Sequence, residues 1–133
     1  MNEDAGAVLV VDDDADVRKT LELLLGRHGY AVFSVADGTS ALEHLRTQPP
    51  PGVILLDLMM PAMNGIEFES TLRADPLWSR IPIVVITGAG TQIAERVSAM
   101  RLEVVAKPFD VPALLATISR YCSSGGQKGS QTG

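Results

Sequence analysis

Five short runs rich in Val and Ile alternate along this chain with segments whose apolar residues recur at helical spacing, and few folds satisfy that pattern. The runs are Ala7–Val11, Ala31–Val35, Val53–Leu56, Ile83–Ile86 and Val104–Ala106. Each is continuous rather than alternating, which predicts strands buried on both faces. Between and after them lie five stripes: Val17, Leu21, Leu24 and Leu25; Ala41, Leu42 and Leu45; Ile66, Phe68 and Leu72, interrupted by Glu69; Ile93, Val97 and Met100; and Val111, Leu114, Leu115, Ile118 and Tyr121. Apolar residues at i, i+3, i+4 and i+7 predict helices packed on a sheet. Strands alternating with helices imply an α/β fold of the (βα)5 kind, a doubly wound parallel sheet with right-handed crossovers.

The element boundaries carry their own signals. Asp14 is placed to cap the first helix and Gly29 to end it. Pro49, Pro50, Pro51 and Gly52 stop the second. Pro82 precedes the fourth strand, where a missing N–H is tolerated.

Four of the runs end on residues suited to handling a phosphoryl group. The first leads into Asp12, Asp13 and Asp14, the third into Asp57, the fourth into Thr87 and the fifth into Lys107. In an open parallel sheet the carboxyl ends of the strands gather at one edge, and ligands bind there. Carboxylates brought this close repel one another, a cost that a divalent cation removes. Mg²⁺ suits such a set because it prefers oxygen ligands and keeps several waters. Asp14 and Asp16 read instead as a helix cap and exposed charge. Beside Mg²⁺ and a lysine, Asp57 can attack phosphorus and hold a covalent aspartyl phosphate. Pro61, Asn64 and Gly65 turn the chain after it. Thr87 can donate to a phosphoryl oxygen, with Gly88 and Gly90 freeing its loop. Lys107 can act as a point charge on phosphate, with Pro108 after it inviting a cis peptide.

At 133 residues and 46% hydrophobic, the chain suits one domain with a real core. A net charge of −5 without basic clusters argues against direct nucleic-acid binding. Neither a signal peptide nor an apolar stretch of transmembrane length is present, so the expectation is a cytoplasmic protein with no membrane insertion. The single cysteine, Cys122, rules out an internal disulfide and reads as a small, partly buried apolar residue. His28 and His44 lie in or beside helical segments, away from the strand ends, and Trp78 reads as a packing residue.

The segments VVDDD, LLDLMMPAMNG, VVITGA and AKPFD, in this order, resemble the response regulator receiver domain of two-component signalling, over about residues 7 to 121. The resemblance implies a flavodoxin-like sheet of strand order 2-1-3-4-5. It implies a stand-alone receiver over 7–122 after a tail at 1–6, while the Gly/Ser-rich composition of 123–133, with no apolar anchor, predicts a disordered tail. It also implies phosphoryl transfer from a phosphohistidine, on a histidine kinase or histidine phosphotransfer protein, to Asp57. Mg²⁺ would be held by Asp13, Asp57 and the Met59 backbone carbonyl, with Asp12 acting largely through water. Thr87 and Lys107 would take the phosphoryl contacts. The implied product is a signalling module, monomer or weak dimer, that changes its binding to a downstream protein target and catalyses only its own phosphorylation and dephosphorylation.

The chain departs from the family pattern at one place. Receivers usually carry Tyr or Phe three residues before the lysine, where this chain has Val104, and the preceding Gly-Ala pair is Met100-Arg101. A small β-branched side chain lacks the reach of an aromatic switch, so the response is expected in the Gly88–Ile93 loop. Two other readings compete. A haloacid dehalogenase-type phosphatase also uses a strand-end Asp and Mg²⁺, but would want Thr or Val where Asp16 stands, and normally adds a cap region. A phosphorylation-independent docking scaffold would not require the complete acceptor set.

Overall fold

A computed structural model describes residues 7–57, 65–87, 103–106 and 110–122. In chain order the elements are β1 (Ala7–Val11), α1 (Ala15–Arg27), β2 (Ala31–Val35), α2 (Gly38–Thr47), β3 (Val53–Asp57), α3 (Gly65–Arg73), β4 (Ile83–Thr87), β5 (Glu103–Ala106) and α4 (Val111–Ser119). The strands form one parallel sheet in the order β2-β1-β3-β4-β5. The stripe at Ile93, Val97 and Met100 lies outside the described residues, as do the tails at 1–6 and 123–133.

Side chains alternate across a strand, and here both faces are covered. Leu9 and Val11 of β1, Ile54 and Leu56 of β3, and Ile83 and Val85 of β4 pack with Ala41, Leu42 and Leu45 of α2 and Phe68 and Leu72 of α3. Val8 and Val10, Val53 and Leu55, and Val84 and Ile86 face the other way, onto Leu21 and Leu25 of α1 and Leu114 and Ile118 of α4. The continuous apolar runs of β1, β3 and β4 thus have a physical cause, since neither face of these central strands meets water.

β2 corrects one expectation. Its continuous run predicts burial on both faces, yet Ala31 and Phe33 are exposed and the rest of the strand is half-buried. The reason is its place at the sheet edge, next to β1 alone. The final stripe is also shorter than expected: Leu114 and Ile118 are buried and Leu115 packs partly, but Val111 and Tyr121 at its ends are exposed.

The helix boundaries follow local chemistry. The Asp14 side chain accepts from the N–H groups of Asp16 and Val17, satisfying two donors at the start of α1. At its other end Gly29 has φ 89°, a conformation that costs other residues strain. The Tyr30 N–H then reaches the Leu25 carbonyl and the Gly29 N–H the Gly26 carbonyl, a Schellman closure, with Tyr30 and Leu25 buried in the same cluster. Asp37 caps α2 through the Ser40 N–H at 2.8 Å. Pro82, just before β4, contributes its carbonyl, which accepts from the Ile54 N–H at 2.9 Å.

Candidate functional site

The register of the central strands brings two acids together. β1 and β3 pair Val10 with Leu55 and Val11 with Leu56, so the next residues along are Asp12 and Asp57. Asp12 continues the face of Val8 and Val10, and Asp57 that of Val53 and Leu55. Two carboxylates therefore emerge on neighbouring strands, on the same face, at the carboxyl edge of the sheet. Asp12 is fully buried and Asp57 is 5% exposed. Asp13 adds an exposed carboxylate, and one ligand oxygen from each of the three lies within 4.8 Å of the others.

Asp12 is held in place on several sides. Its N–H donates to the Val35 carbonyl at 3.1 Å, at the end of β2. Its Oδ1 accepts the Asp14 N–H at 2.9 Å, and its backbone carbonyl accepts from Arg18 Nη1 at 2.9 Å. Arg18 carries no motif in the sequence. Its only signal there is a basic residue six positions after Asp12.

The donor set fits a small hard cation. All three donors are carboxylate oxygens, and their spread is near the roughly 4 Å span of one octahedral Mg²⁺ ion. The exposed side at Asp13 leaves room for the waters that Mg²⁺ retains. Met59, Lys107 and the Gly88–Ile93 loop lie outside the described residues. Thr87 is the last residue of β4, and its backbone pairs in register with Ala106 of β5, the residue before Lys107. The strand ends expected to carry the hydroxyl and the lysine are thus neighbours at the same edge as Asp57, which pairs with Ile86.

The other chemistry-bearing residues lie elsewhere. His28 is exposed, with Nδ1 3.0 Å from the Leu24 carbonyl. His44 packs on Phe33 with ring centroids 5.2 Å apart, and burial lowers its pKa below the ordinary 6.5. Both are distant from the acid cluster in the sequence and on different elements from it. Cys122 is buried, its thiol 3.4 Å from the Ala7 carbonyl, and Trp78 packs against the α2–α3 side of the core. An apolar cleft of about 190 Å³ opens at the opposite edge of the sheet, by Ala7, Ala31 and Pro51. No carboxylate lines it, so the acid cluster and not this cleft is the candidate site.

Comparison with known proteins agrees with the geometry. A "DNA-binding response regulator MtrA" of Mycobacterium tuberculosis is 39% identical over 114 residues, covering 84% of this chain and 48% of that protein. A "Probable transcriptional regulator ycf27" of Guillardia theta is 40% identical over 114 residues, covering 84% of this chain and 43% of that protein. The chain thus spans less than half the length of these relatives. Among solved structures, the Vibrio cholerae chemotaxis protein CheY4 superposes with a TM-score of 0.78 at 30% identity, over 87% of this chain and 98% of that one. A response regulator receiver protein from Pseudomonas putida gives 0.78 at 29% identity, over 86% of this chain and 95% of that one. The family profile described as the response regulator receiver domain matches residues 8–119, and the chain belongs to that family, the phosphoacceptor signalling modules of two-component systems.

Proposed function

We propose that this receiver takes a phosphoryl group from a phosphohistidine onto Asp57, with Asp12, Asp13, Asp57 and the Met59 carbonyl serving a Mg²⁺ ion. The observation that carries the reading is the convergence of the Asp12, Asp13 and Asp57 oxygens within 4.8 Å at the carboxyl edge of the sheet. When bound, Mg²⁺ neutralises the acids and polarises phosphoryl oxygens, a Lewis-acid role.

The residues divide the work. An Asp57 oxygen attacks phosphorus as the P–N bond to the donor imidazole breaks. The donor leaves as a neutral imidazole once it holds a proton, and the acyl phosphate remains on Asp57. In-line attack demands a fixed nucleophile. Asp57 meets that demand as the last residue of a buried central strand. Asp12 is held by its own hydrogen bonds. Thr87 donates to a phosphoryl oxygen, and Lys107 places a positive charge on another. The family match over residues 8–119 supports this reading over that of a dehalogenase-type phosphatase.

Beyond its own phosphorylation and dephosphorylation the domain needs no enzymatic activity. Its partners are a histidine kinase or phosphotransfer protein and a downstream protein target. No helix among the described residues is long and apolar enough to cross a membrane, which is compatible with a cytoplasmic place. The acidic balance, −5, argues against direct contact with nucleic acid.

The test is transfer of radiolabelled phosphoryl from a panel of autophosphorylated histidine kinases. The expected result is rapid labelling by at least one kinase in Mg²⁺, abolished by EDTA and by Asp57→Asn. Labelling that survives both treatments would overturn the reading.

A further inference from the structure

Arg18 occupies a position that helix stability does not favour. It is the fourth residue of α1, and its N–H makes the helix's first backbone bond, to the Asp14 carbonyl at 3.1 Å. A cation in the first turn opposes the helix macrodipole at a cost of about 0.3–1 kcal/mol. Its guanidinium instead turns back toward the strand end, where Nη1 donates to the Asp12 carbonyl at 2.9 Å in a half-buried setting. A hydrogen bond from a charged donor is stronger than one between neutral groups.

That carbonyl belongs to the peptide linking Asp12 to Asp13, and a peptide is one rigid plane. A bond to its oxygen therefore orients the N–H and Cα of Asp13 on the far side. Asp13 is the exposed member of the acid cluster, whereas Asp12 and Asp57 are buried. Burial restrains those two. Asp13 depends more on how its backbone is held.

We infer that Arg18 is a positioning residue for the carboxylate pocket: by holding the Asp12 carbonyl it fixes the peptide plane from which Asp13 presents its carboxylate. The inference rests on the reading of Asp12, Asp13 and Asp57 as a Mg²⁺ pocket. Arg18 does not touch the reacting atoms; it acts through the backbone. The alternative role, simple charge compensation, makes the opposite prediction. A nearby positive charge competes with Mg²⁺, so its removal would tighten binding.

The experiment is calorimetric titration of the intact chain with MgCl₂, comparing wild type, Arg18→Met, Arg18→Lys and Asp13→Ala. Loss of a group that orients a metal ligand weakens affinity about tenfold or more, and that is the expected loss for Arg18→Met. Arg18→Lys keeps a charged donor and recovers most of it. In the metal-free protein, the carbonyl carbon of Asp12 and the amide of Asp13 shift in the NMR spectrum of Arg18→Met and return toward wild type in Arg18→Lys. Mg²⁺ affinity in folded Arg18→Met equal to or tighter than wild type overturns the inference. If Arg18→Met does not fold, Arg18→Gln, which retains a neutral polar side chain, replaces it under the same criterion. The Asp13→Ala arm separates the two levels. Wild-type affinity in that variant defeats the pocket reading and the inference with it. Its loss, alongside unchanged binding in Arg18→Met, defeats the inference alone.

Discussion

The backbone N–H of Asp14 donates to Asp12 Oδ1 at 2.9 Å, tying the buried acid of the site to the residue that caps α1. Three consecutive aspartates therefore have three different tasks. Asp12 is buried at the strand end, Asp13 is exposed beside it, and Asp14 turns its carboxylate onto the N–H groups of Asp16 and Val17.

Asp14→Ala removes the cap and costs about 1 kcal/mol of stability. The bond to Asp12 comes from the backbone and survives the substitution. Urea unfolding should show that loss while Mg²⁺ affinity stays near wild type.

Asp13→Ala should weaken Mg²⁺ binding more than Asp16→Ala, since only Asp13 belongs to the cluster. Metal-free Asp13→Ala should be at least as stable as wild type, because like-charge repulsion falls. Added Mg²⁺ should raise the Tm of wild type by mass action and that of Asp13→Ala much less. Thermal melts with and without MgCl₂ measure both effects, and equal Mg²⁺ responses in the two variants would misplace the site.

Arg73 holds the connection between α3 and β4. Its Nε pairs with Glu69 at 3.0 Å, and its Nη1 donates to the Ser79 carbonyl at 2.7 Å and the Ile81 carbonyl at 3.2 Å. Glu69 is itself only 9% exposed. Arg73→Ala leaves that carboxylate without this guanidinium and should cost about 2 kcal/mol, read by urea unfolding. Arg46→Ala removes only an exposed pair with Glu43 and should cost less than about 0.5 kcal/mol.

Alkaline pH should destabilise the fold through Cys122. Burial raises its thiol from the ordinary 9.0 to about 11. The unfolded chain releases that proton first, so the contribution is complete below 9.0 and is lost as pH rises through about 11. Two units correspond to about 2–3 kcal/mol at most. Tyr30 is raised in the same direction, by burial first and then by the neighbouring Cys122. Unfolding free energies across this window should fall in wild type and fall less steeply in Cys122→Ala.

What was legible in the sequence depended on whether a local pattern had one physical meaning. The runs of β1, β3 and β4 are apolar because both faces are covered, and their ends gave Asp12 and Asp57 directly. AVFSV has nearly the same composition, but its burial is decided by a place in the sheet that the run itself does not encode. Glu69 interrupts an apolar stripe and is buried all the same, because Arg73 one turn later reaches back to it. That i, i+4 spacing was a readable signal. Arg18 was not readable, since its role depends on the direction of one backbone carbonyl.

The proposed signalling role stands on Asp57 receiving the phosphoryl group. Borohydride reduces an aspartyl phosphate to homoserine, and peptide mass spectrometry reads the converted position. After phosphorylation with acetyl phosphate in Mg²⁺, conversion is expected at Asp57 alone, with none in Asp57→Asn. Conversion at Asp12 or Asp13 with Asp57 left intact would contradict it.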